Sequence, residues 1–141
     1  PSYTSVRKLF SALAEGEKKA ELKAFQFMNP KIIFTSPQTT VREVILIMKK
    51  QGVSQLPVIQ KEKVVGLVSE GTILEKMEPS PEKLFSLRVE EIMEEVPPIV
   101  SPQTGQEVVS QLLRSFSLVL VAERGELKGV ITKSDLLEKM R

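Results

Sequence analysis

The chain has 141 residues, of which 41% are apolar and 27% charged, with a formal net charge of +2. That is enough for one good hydrophobic core or two small ones, and too balanced a charge to favour nucleic acid or an anionic membrane. The absence of cysteine and of histidine removes disulfides, thiolate metal sites and the commonest general base, and no cluster of metal ligands stands out.

No apolar run reaches the length of a membrane span and no secretory signal is visible, so the expectation is a cytoplasmic protein with no membrane partner. Residues 1–23 read as an N-terminal helix and linker. Val6, Leu9, Phe10 and Leu13 fall at i, i+3, i+4 and i+7 on one helical face, Thr4 or Ser5 can cap its start, and Gly16 can end it. This apolar face needs a cover, either another helix of the chain or the same helix of a second copy.

Residues 24–78 read as a first α/β unit. Ile32-Ile33-Phe34 is a short predicted strand that Ser36-Pro37 breaks. Val41, Val44, Ile45 and Met48 make the buried face of a helix ending near Gly52. Leu56 to Ile59 and Val64 to Ser69 are apolar strands separated by Lys61-Glu62-Lys63, and Gly71 to Met77 starts a closing helix. Residues 79–88, with prolines and polar groups, read as a linker. Residues 89–141 form a second unit. Pro97-Pro98-Ile99-Val100 opens it, Val108, Val109, Leu112 and Leu113 make a helix face, and Arg124-Gly125 turns into a strand over Leu127 to Thr132. Leu136, Leu137 and Met140 give the last helix an apolar side.

The most informative stretch is Gly129-Val130-Ile131-Thr132-Lys133-Ser134-Asp135, where a β-branched run ends at a hydroxyl, a lysine and a carboxylate. A helix start leaves backbone N–H groups unpaired and attracts phosphate. Thr132 can add a hydroxyl donor, Lys133 a cation, and Asp135 a carboxylate able to accept from two sugar hydroxyls, so the three could hold a ribose phosphate. The plainer alternative is that Asp135 or Ser134 only caps the helix.

The two units repeat one another. Ser36-Pro37-Gln38-Thr39 recurs as Ser101-Pro102-Gln103-Thr104, Phe27-Met28 matches Ile92-Met93, and Gly66-Leu67-Val68-Ser69 matches Gly129-Val130-Ile131-Thr132. The offset falls from 65 to 63, which puts small deletions between Thr40 and Ser54. Two copies suit a pseudo-twofold pair rather than a solenoid.

The order, spacing and duplication of these motifs, with Gly52-Val53-Ser54-Gln55-Leu56-Pro57-Val58-Ile59 before the second strand, resemble a tandem pair of cystathionine-β-synthase (CBS) domains, a Bateman module. The resemblance covers roughly Ala24 to Arg141. It implies an α/β (α+β) fold of two small sheets, each with helices on one side, related by a pseudo-twofold axis. It further implies two clefts, each taking a ribose-phosphate motif from one domain and a base pocket from the other. Carried onto this chain, Thr132, Lys133 and Asp135 would hold phosphate and ribose, and adenine would lie against Met28, Ile32, Ile33, Val53, Ser54 and Gln55. The mirror cleft would draw on Ser69, Thr72, Met93, Pro97, Phe116 and Ser117. It departs from the pattern, with Thr72 where the ribose carboxylate belongs, Glu70 near the expected phosphate, and Phe116 and Pro97 crowding the base side, so it is expected to be the weaker one.

The resemblance implies a ligand sensor rather than an enzyme. Its regulatory ligand would be an adenosine-type nucleotide (AMP, ADP, ATP or an S-adenosylmethionine-like molecule), with no required cofactor and no metal. It also implies a homodimer formed through helices, to which the apolar helix faces around Met48, Leu112 and Met140 are expected to contribute. Ser2 to Leu13 resembles the closing helix of an XRE-type helix-turn-helix domain, which implies a DNA-binding partner domain in a longer chain. The rival readings are a small enzyme and a dimerisation module with no ligand.

Overall fold

A computed structural model describes residues 8–9 and 21–139 of the chain. Most of the predicted N-terminal helix therefore lies outside the described residues. Of its expected face only Leu9 is described; it is helical and 59% exposed, so the cover expected over this face is not found at Leu9.

Helix α1 spans Ala24–Phe27, α2 Val41–Gln51, α3 Glu70–Lys76, α4 Pro81–Ser86, α5 Gln106–Ser115 and α6 Lys133–Lys139, with a 3-10 turn at Val89–Glu91. Strands β1 (Gln55–Gln60) and β2 (Lys63–Ser69) form one antiparallel sheet. Strands β3 (Ile99–Val100), β4 (Val119–Glu123) and β5 (Glu126–Ile131) form the other. This is the expected mixed helix-and-sheet fold in two copies.

Local chemistry explains the elements. Thr40 caps α2 by accepting a hydrogen bond from Glu43 N at 3.2 Å, and Gly52 ends it in the left-handed region at φ 68°. In β1–β2 only Lys61 and Glu62 separate the paired residues Gln60 and Lys63, and both have positive φ. Arg124 and Gly125 do the same between Glu123 and Glu126. Two successive positive φ values suit a tight hairpin to the right-handed twist of its strands. The offset change also has a location: α5 is one residue shorter than α2, and the segment after it is shorter by one more before the equivalent strand positions Leu56 and Val119.

One expectation is corrected: Ile32-Ile33-Phe34 is not a strand. Asn29 is drawn to the other repeat, where its N–H donates to Val130 O at 2.8 Å and its carbonyl accepts from Val130 N at 3.0 Å. The chain then crosses between the sheets and joins its own only at Thr35, in a single parallel bridge to Val58. Residues 79–88, read as a linker, hold a short helix: Pro81 opens α4 at a position where its missing N–H is harmless, and Leu84 is buried among Val41, Val44 and Val89.

The two cores exchange their first turns. Ala24 and Phe27 pack with Val109, Leu113, Val119, Val121, Ile131 and Leu136 of the second repeat. In return Val89 and Ile92 pack with Val41, Val44, Met48, Leu56, Val58 and Val68 of the first. Reciprocal bridges mark the pseudo-twofold relation: Lys23 to Gly105 against Arg88 to Thr40, and Asn29 to Val130 against Glu94 to Leu67. Leu67, Leu118 and Leu120, flanked by Val64, Leu127 and Val130, join the two sheets. No helix among the described residues is long and apolar enough to cross a membrane.

A candidate ligand cleft between the repeats

A cavity of about 470 Å³ opens at the junction of β5 and α6. Ile33, Val53, Ser54 and Gln55 of the first repeat line it together with Thr132, Lys133 and Asp135 of the second. These residues come from three separate stretches of the chain and meet because of the pseudo-twofold packing.

Thr132 and Asp135 are joined by hydrogen bonds. Asp135 Oδ2 accepts from Thr132 N at 2.9 Å and from Thr132 Oγ1 at 3.0 Å. Asp135 N lies 3.5 Å from Thr132 Oγ1, so the pair also caps α6. The two readings of Asp135 are thus compatible: Oδ2 serves the helix start, and Oδ1 makes no hydrogen bond among the described residues. A carboxylate oxygen carries two lone pairs, so Oδ1 alone could take two hydroxyl donors.

Two expected lining residues are elsewhere. Met28 packs into the core of the second repeat. Its sulfur would lie 2.7 Å from a Cβ built at Gly129, so glycine is needed there for the two segments to touch. Ile32 lines a different depression, with Phe34, Ile59 and Leu127, because alternation along an extended segment turns its neighbour Ile33 toward the cleft and Ile32 away. Ser117, expected in the mirror cleft, lines this one. Its Oγ donates to Gln55 Oε1 at 2.6 Å, and Gln55 Nε2 donates to Ser117 O at 3.1 Å. The repeat offset contained that signal, since Ser117 stands 63 residues after Ser54 and so sits across the axis from it.

Sequence reasoning also missed Asn29 and Lys31 in the lining. Asn29 Oδ1 accepts from Lys31 N at 3.0 Å, a local turn that an Asn-Pro-Lys stretch could have suggested. Gly52, Pro57, Leu118, Val130 and Ser134 complete the wall.

The CBS domain family matches residues 23–79 and 89–141, which is most of the chain. The chain belongs to the CBS domain family. Outside the family description, a zinc metalloprotease of Methanocaldococcus jannaschii is 29% identical over 119 residues, covering 84% of this chain and 32% of that protein. An inosine-5'-monophosphate dehydrogenase of Korarchaeum cryptofilum is 31% identical over 121 residues, covering 84% of this chain and 24% of that protein. The chain thus spans about a third and a quarter of these two relatives. A CBS domain-containing protein of unknown function from Bacillus anthracis superposes with a TM-score of 0.76 at 19% identity, over 84% of this chain and 92% of that one. The fold is that of a CBS pair.

The mirror cleft of this CBS pair is built differently. Ser69 holds the place of Thr132, and its Oγ donates to Glu94 Oε2 at 2.9 Å and accepts from Thr72 N at 3.2 Å. Thr72 is 9% exposed, with its hydroxyl 3.2 Å from Ser69 Oγ. Met93 lies under Gly66 as Met28 lies under Gly129. Pro97 is buried, and Phe116 is 46% exposed. Among the described residues no group of carboxylates is placed to hold a metal ion.

Proposed function

We propose that this CBS pair is a regulatory sensor that binds one adenosine-containing nucleotide per chain in the Asp135 cleft. The observation that carries the reading is the single cavity that the hydrogen-bonded Thr132–Asp135 pair lines together with apolar Ile33 and Val53 and polar Ser54 and Gln55. A nucleoside needs a flat apolar slot for the base and a few convergent polar groups for the sugar. Asp135 Oδ1 would accept the ribose hydroxyls, the polar tail would lie by Thr132 and Lys133, and the base would lie against the first repeat.

The cleft is made by two repeats that share the Gln55–Ser117 hydrogen bonds, so a ligand that prefers one arrangement of the repeats shifts the pair toward it. In this reading the pair passes that shift to a partner domain in a longer cytoplasmic protein, DNA-binding by the resemblance of residues 2–13. The chain works as a homodimer, and no cofactor beyond the regulatory nucleotide is needed. The competing reading, a dimerisation module with no ligand, is favoured by one observation: Asp135 already has a structural task at the start of α6.

Calorimetry of the chain with adenosine nucleotides separates the two. One site per chain that is weakened by Asp135→Ala and spared by Thr72→Ala supports the sensor. No heat and no thermal shift with any of them overturns it.

A further inference from the structure

We infer that the Asp135 cleft selects its ligand by the charge of the tail and takes a nucleoside di- or triphosphate, with Lys31 as a specificity-determining residue. This rests on the nucleotide reading of the same cleft. Among the described residues two lysines line the cavity: Lys31 on the segment that crosses from the second repeat's sheet to the first's, and Lys133 in the first turn of α6. Lys31 is not a loose surface residue at its backbone. Its N–H donates to Asn29 Oδ1 at 3.0 Å, and Asn29 is itself tied by two backbone hydrogen bonds to Val130 of β5. The side chain is exposed and therefore free to follow a ligand, while its root is fixed against the wall.

Among the described residues Asp135 is the only carboxylate in the lining, and one of its oxygens is already held by Thr132. The cleft thus presents two cations to a tail and half a carboxylate to a sugar. Two lysines lining one cavity favour an anionic occupant. A di- or triphosphate tail, with more charge than the roughly −1.5 to −2 of a monophosphate and more than one phosphate to offer, serves both lysines best, and a neutral nucleoside serves neither. A sulfonium nucleoside brings a third positive charge into the same space. The mirror positions show the contrast within one chain. At the equivalents of Asn29, Lys31 and Lys133 stand Glu94, Val96 and Glu70, with two carboxylates and no cation. The cation pair is therefore specific to one cleft and does not follow from the shared fold.

The test is calorimetry of the whole chain with ATP, ADP, AMP, adenosine and S-adenosylmethionine in magnesium-free buffer, at low and high salt. The expected result is ATP or ADP binding at least about tenfold more tightly than AMP at low salt, with the gap narrowing at high salt. Lys31→Gln should remove most of that gap and leave adenosine affinity within about twofold, with an unchanged melting temperature as the control for folding. Equal affinity for AMP and ADP, tightest binding of S-adenosylmethionine, or a Lys31→Gln variant that still distinguishes the phosphates overturns the inference. In those cases an Asp135-dependent single site would still stand. Failure of all five compounds to bind removes the nucleotide reading and this one with it.

Discussion

The two clefts of the CBS pair share one backbone plan and differ in the chemistry hung on it. In both, a methionine lies under a glycine of the last strand, and the residue after it bridges to the next position of that strand. In one cleft that residue is Asn29, and in the other it is Glu94, whose carboxylate takes the hydroxyl of Ser69 for itself. In one the helix start carries Lys133 and Asp135, and in the other Glu70 and Thr72. Duplication preserved the frame, where glycine, methionine and backbone pairing leave little freedom, and released the exposed positions. Charge separates the two, together with the segment after the long helix, which is one residue shorter in the second repeat.

The sharpest way to break the comparison is at the carboxylate. Asp135→Ala should weaken nucleotide binding by about tenfold to a thousandfold, because hydrogen bonds to a charged group contribute about 1.5–3 kcal/mol each. Thr72→Ala should change it by less than about twofold, and titration of both variants checks this.

The glycines test the frame itself. A Cβ at Gly129 would lie 2.7 Å from Met28 Sδ and 2.9 Å from Asn29 O, and at Gly66 it would meet Met93 Sδ and Glu94 O at the same distances. Both alanine variants should lose about 1–3 kcal/mol in urea unfolding. Only Gly129→Ala should also weaken the ligand, since only it displaces Asn29 and Lys31.

A smaller effect is expected at Thr35, which is 4% exposed and whose Oγ1 has no hydrogen-bond partner among the described residues. The equivalent position in the second repeat is Val100. Thr35→Val removes a buried unpaired hydroxyl and should stabilise the chain by about 1 kcal/mol, a rise of roughly 4 °C in Tm by calorimetric scanning.

The smallest contrast is between the hairpins. Glu62 holds φ 67° where the other hairpin has Gly125 at φ 79°. Glu62→Gly should be neutral or stabilising by about 0.5 kcal/mol, while Gly125→Ala should cost about 1 kcal/mol, as equilibrium unfolding would show.

Much of the fold was legible because the repeat is. Glycine, β-branched runs and Ser-Pro punctuation recur at two offsets, and they fix the strands and helices of both copies. The helix at Pro81–Ser86 was hidden because prolines 79 and 81 read as breakers, although Pro81 at a first helical position is a start signal. The stretch Ile32 to Phe34 was misread because an apolar run does not say which sheet it reaches. Hydrogen bonds from Asn29 to the other repeat decided that, and no local pattern reports a partner some hundred residues away. At the cleft, the motif side was readable from local spacing. The opposite wall was not: Ile33 and Ile32 are alike in composition, and only the path of the chain turns one inward.

The exchanged first turns have a consequence for how such a pair can be inherited and made. A chain ending near residue 79 would keep α1 without the sheet it packs on, and would leave the first core open where Leu84, Val89 and Ile92 belong. The second half alone would lack Ala24 and Phe27. Each copy thus carries the missing piece of its sibling, so half of the protein is not half as stable; it is an unfinished object. Synthesis must reach Ile92 before the first core can close and Leu136 before the second can, and the ancestral single copy would have had to find its complement in another molecule.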